Sequence, residues 1–117
     1  MAEVRDLIGK TLTSVKRIGD EEILFSADDG SEFKLYHERD CCESVTIDDV
    51  IGDLSDLIGS PILAAEEATS HEGQPPDDDS VTWTFYKFAT RKGYVDVRWC
   101  GESNGYYSES VDFVRLN

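Results

Sequence analysis

From Asp40 to Tyr86 the chain contains no lysine and no arginine, a gap of 47 residues in a sequence of 117. Twelve aspartates and glutamates fall inside that gap, while the remainder holds 13 acids against 11 bases. One stretch therefore carries −12 of the net charge of −14. Such a field repels nucleic acid and anionic membrane surfaces, and it favours cations or basic partners. Other absences narrow the class further. No apolar run approaches the ~20 residues that cross a bilayer. The opening MAEVRDLIGK lacks the basic-then-apolar order of a signal peptide, so none is expected. Three cysteines, an odd number, do not make a disulfide framework, and adjacent Cys41 and Cys42 bond to each other only with strain. Reduced thiols in a cytoplasm are the expectation. There is no glycine-rich phosphate loop, no G-x-S-x-G elbow and no basic aromatic patch for direct nucleic-acid binding.

What is present fits a folded protein. An apolar content of 39% with 10% aromatics suits one domain, 1–117, around one core. The pattern predicts a helical turn over 4–9 and strands over 10–18, 21–27 and 32–37, with Asp28-Asp29-Gly30 as a tight turn. In the third strand Phe33 and Leu35 alternate with Lys34 and Tyr36, the period of a half-buried strand. A further strand is expected over 44–50, then a helical turn over 53–58, capped by Asp53 and stopped by Gly59 and Pro61. Residues 62–69 read as strand, and SHEGQPPDDDS (70–80) as an exposed acidic loop. The segment 81–116 predicts a three-stranded antiparallel meander, with Asn104-Gly105 as a hairpin turn and Trp83, Val95, Val97 and Val111 in the core. The fold class is α+β, mainly β: a twisted antiparallel sheet with one or two short helices.

Four chemistries compete for a site. His37, Cys41, Cys42 and Cys100 are possible zinc ligands. The spacing H-x3-C-C lacks the two-residue gap of a knuckle, and neighbouring cysteines on an extended segment face opposite ways. No metal site and no cofactor is expected. A thiolate–imidazole pair from Cys41 or Cys42 with His37 or His71 needs positive surroundings, and Asp40 and Glu43 supply the opposite. The chain is therefore not expected to be an enzyme. Calcium would find oxygen ligands in Asp48, Asp49, Asp53 and Asp56, but DDVIGDLSD does not match the D-x-D-x-D-G loop with its closing glutamate.

The fourth is the acidic surface itself. Spaced carboxylates can stand where duplex phosphates would, about one charge per 1.7 Å of axis. The plain alternative is a solvated face that keeps a small protein soluble, and the unbroken cation gap favours binding instead. The residues expected to touch a partner are Asp48, Asp49, Asp53, Asp56, Glu66 and Glu67, with Asp77, Asp78 and Asp79 as a second patch. A different class of reading takes His37, Cys41 and Glu43 with Asn104, Tyr106 and Tyr107 as a small-ligand or metal-binding module. Such a module would sequester a nucleotide signal, a tyrosine stacking on its base.

The stretches LYHERDCCESVTIDDVIGDLSDLIGSPILAAEE and TWTFYKFATRKGYVDVRWCGESNGYYSESVDF carry three specific motifs. These are H-x2-D-C-C-E-x-V, G-D-L-x-D-L-x-G and G-x-S-N-G-Y-Y-S-E. On them the chain resembles a family of small acidic bacteriophage and prophage proteins classed as a domain of unknown function. The resemblance implies an accessory protein of a virus or mobile element, acting in the host cytoplasm. By analogy of class, such proteins inhibit host nucleases, including CRISPR effectors and restriction enzymes. The expected function is thus non-enzymatic inhibition of a host defence or nucleic-acid-processing complex, by a monomer or small homo-oligomer that binds its basic surface.

Overall fold

The computed structural model describes residues 2–39, 43–72, 80–103 and 108–117, with the side chains of 71, 72 and 80 left aside. Eight strands run in chain order: β1 (Leu12–Ile18), β2 (Glu22–Ala27), β3 (Glu32–Tyr36), β4 (Ser44–Ile51), β5 (Ala64–Glu72), β6 (Ser80–Thr90), β7 (Gly93–Ser103) and β8 (Asp112–Arg115). Two single 3-10 turns, η1 (Val4–Leu7) and η2 (Leu54–Leu57), are the described helical elements. The strands form two antiparallel sheets, ordered β1-β2-β3-β8 and β4-β7-β6-β5.

Period-two alternation explains which faces meet. In β2, Ile23, Phe25 and Ala27 are buried, and in β3 Phe33 and Leu35 are, while their sequence neighbours are less covered. The second sheet buries Val95, Val97 and Trp99 from β7 and Tyr86 and Phe88 from β6. Phe25 meets Phe88 across the interface with ring centroids 5.6 Å apart, so the two apolar faces share one core. Leu7 and Leu57, both fully buried, add the two 3-10 turns to that core. Asp53 caps η2 as the sequence predicts, accepting a hydrogen bond from the backbone N–H of Ser55 at 2.9 Å.

Three expectations are corrected. The meander over 81–116 does not form, because β8 leaves its neighbour in sequence and pairs with β3 in the other sheet. Both sides of β7 are already taken, by β6 and by β4. Phe113 instead stacks on Phe33 at 5.3 Å, beside the apolar face of β3. The second correction concerns Trp83. Trp83 is half-buried on the outer face, with the Arg98 guanidinium 5.4 Å from its ring, while Trp99 is fully buried in the core. Third, residues 70–72 and Ser80 are strand and not loop, since β5 runs to Glu72 and β6 begins at Ser80.

Candidate functional site

The strand registers gather one set of chain connections at a single end of the molecule. Ser44 pairs with Glu102, Glu102 with Val81 and Val81 with Glu72, so the β3–β4, β5–β6 and β7–β8 connections all leave the second sheet together. In the first sheet Glu22 pairs with both Ile18 and Tyr36, and Tyr36 with Asp112. The Ile47 N–H donates to the carbonyl of Asp20 at 2.6 Å, tying the β1–β2 turn to β4. Loops collected at one end of paired sheets are the usual place for binding, because a rigid scaffold positions segments free to vary.

Buried polar side chains hold this end together. The side chain of His37 is 6% exposed and that of Glu43 is 0% exposed. His37 Nδ1 lies 2.7 Å from the carbonyl oxygen of Ser110, which can only accept, so Nδ1 carries a proton. Nε2 lies 2.7 Å from Glu43 Oε2 and shares a second proton with it. The pair thus links β3, β4 and the segment before β8. With both ring nitrogens engaged, His37 has no lone pair to offer a metal in this arrangement.

Glu109, also buried, accepts from Thr82 Oγ1 at 2.7 Å and from the Ser103 hydroxyl. Its close approach depends on Gly101, where a Cβ would sit 2.6 Å from the Glu109 carbonyl oxygen. A cavity of about 210 Å³ opens beside the His37–Glu43 pair, bordered by Glu21, Glu22, Tyr36 and Arg39. Cys100 lies on β7, its thiol pushed up by burial and then by the charge of Glu102, the reverse of what a thiolate nucleophile needs.

The fold separates the acidic residues that the sequence groups together. Strands β4 and β5 are opposite edges of the second sheet, three strand spacings or about 14 Å apart. Asp48 sits at a bulge in β4 and pairs with Arg98 at 2.5 Å; Asp49 beside it is exposed. Asp53 is engaged as the η2 cap, which holds its carboxyl below the ordinary range through the Ser55 backbone N–H. Asp56 is half-buried in η2. Across the sheet Glu66 is in register with Lys87, and Glu67 accepts from the Tyr86 hydroxyl at 3.2 Å.

Asp77, Asp78, Asp79, Cys41, Asn104, Tyr106 and Tyr107 lie outside the described residues. Residues the sequence reading missed collect at the same end as His37 and Glu43: Glu21, Glu22, Glu38, Glu102 and Asp112, with Arg17, Lys34 and Arg39 as neighbouring cations. Their common signal was position, since each of the five acids stands within two residues of a strand end.

The chain belongs to a family described as a domain of unknown function, DUF7448, whose model matches residues 5–113. No curated protein and no solved structure matches the chain. No helix among the described residues is long and apolar enough to cross a membrane.

Proposed function

We propose that this member of a family of unknown function is a non-enzymatic binding protein that occupies a basic surface on its partner, working through the loop-bearing end of the two sheets. The observation that carries the reading is the convergence of Glu21, Glu22, Glu38, Glu102 and Asp112, from separate connections, on one end of a rigid scaffold. A partner with a matching surface is one that ordinarily holds a polyanion, such as a nucleic-acid-processing or defence complex of a host cell. A mobile-element accessory role belongs to the same proposal. The small-ligand reading draws less support, because a cavity of about 210 Å³ lies below the ~300–1,000 Å³ of drug-sized sites.

The test is capture from a bacterial lysate with three forms of the chain. Glu21→Lys with Glu102→Lys, both exposed at the loop end, should abolish capture of a nucleic-acid-binding protein that wild type retains. Asp28→Lys with Glu32→Lys, exposed at the opposite end, should leave capture intact. The captured protein should in turn lose its nucleic acid to added wild-type chain, and less so at high salt. Equal capture by both charge-reversed forms would sink the proposal.

A further inference from the structure

We propose that the open edge of β8 is a docking groove for an extended, lysine- or arginine-rich segment of the partner, which adds to the first sheet as a fifth strand. This rests on the reading of the chain as a binder of basic partners and adds to the loop-bearing end a second contact surface with a stated conformation of the partner.

The edge is available to a strand. Among the described residues β8 pairs on one side only, with β3. The Leu116 N–H donates to the Glu32 carbonyl at 2.8 Å, which fixes the phase of the ladder. Antiparallel alternation then turns the backbone groups of Asp112 and Val114 towards β3 and those of Phe113 and Arg115 outwards. An incoming strand finds donors and acceptors spaced for it, the mode in which main-chain bonds give affinity and side chains give choice.

The groove along this edge is selective in charge. It has a volume of about 410 Å³, with Val4, Val111 and Phe113 on its floor and Glu3, Glu38, Glu67 and Asp112 around it. No lysine or arginine lines it among the described residues. Two phenols beneath it feel the same negative potential. Tyr86 is pushed up by burial and then by the charge of Glu67, and Tyr36 by burial and then by Glu38, with Asp112 adding to both. The carboxylates keep room for a ligand. Asp112 accepts from the Glu38 N–H at 3.0 Å and Glu67 from Tyr86, each a fraction of a carboxylate's acceptor capacity. Glu3 pairs with Arg5 at 2.5 Å, but both side chains are largely exposed and such pairs exchange readily. The apolar floor suits the methylene stems of lysine and arginine, whose charged heads then reach the rim.

A rival account gives the same carboxylates a protective role, since charge at an open edge discourages pairing with other chains. Backbone dependence separates the two. The probe is a labelled eight-residue peptide alternating lysine and valine, titrated by fluorescence anisotropy with amide shifts mapped by NMR. Wild type should bind it, with shifts centred on Phe113 to Leu116 and Glu67. N-methylation of one set of alternate peptide amides should weaken binding about tenfold, and of the other set hardly at all, because only one set faces the edge. Glu3→Gln with Glu67→Gln should also cost about tenfold, through two lost charge contacts. The loop-end variant Glu21→Lys with Glu102→Lys should stay within about twofold of wild type, its charges lying outside the groove. No binding, insensitivity to both methylation patterns, or shifts confined to the loop end would overturn the groove. The lysate capture then still decides whether the partner is basic. Binding by spermine with the same shifts, but no methylation effect for the peptide, would overturn strand addition in favour of a polyamine site.

Discussion

A carboxylate with no exposed side-chain surface has to be compensated, and at Glu43 His37 supplies part of that compensation. Removing one partner leaves a desolvated polar group, whereas removing both leaves an apolar gap that neighbours fill in part. His37→Leu should therefore cost about 3–5 kcal/mol in urea unfolding, the range for breaking a buried pair. The double variant His37→Leu with Glu43→Leu should be more stable than that single variant by about 2 kcal/mol or more. Strict additivity of the two single losses would show that the contact does not couple them. The same pair bears on function, because it ties the start of β4 to the segment before β8 and so fixes both the loop end and the edge beside the groove.

Among the elements, η2 offers a test of how charge and backbone cooperate. The carboxyl of Asp53 is held below its ordinary value by the Ser55 backbone N–H and hydroxyl. Its folded value thus lies under the unfolded one of about 3.9, so its contribution is present above that pH and lost as pH falls through the folded value. Asparagine caps comparably without the charge. Wild type should hold a small advantage in melting temperature over Asp53→Asn at neutral pH, and that advantage should vanish in strong acid. An advantage that persists at low pH would mean the cap acts through shape alone.

This cap was legible in the sequence, as were the turn at Asp28-Asp29-Gly30 and the inward face of β3, because each depends on neighbours a few residues away. The face of β6 was not. Trp83 and Phe85 occupy one parity and Tyr86 and Phe88 the other, so period two alone does not say which set faces inwards. Nor did the cation gap reveal that it supplies both edges of one sheet, β4 and β5, with Lys87 and Arg98 on the strands between them. Charge along the chain becomes charge on a surface only through strand order, and long-range pairing sets that order.

For the whole molecule, a net charge of −14 on 117 residues means self-repulsion in the folded state. Raising salt from about 10 to about 150 mM shortens the Debye length from ~30 to ~8 Å, which screens repulsion between the separated acidic regions. The melting temperature should rise over that range; a flat or falling curve would mean that ion pairs such as Asp48–Arg98 outweigh the repulsion. The crossing of β8 into the first sheet has a further consequence, in time. Leu35 pairs with Phe113, 78 positions later in the chain. At about 5–20 residues per second, a ribosome takes roughly 4–16 s to make that interval. Throughout it β3 presents Phe33 and Leu35 at an unpaired edge, able to nucleate wrong pairing with another nascent chain. The chain is thus most prone to aggregate in the seconds before its last strand arrives, and any slowing of translation lengthens that exposure.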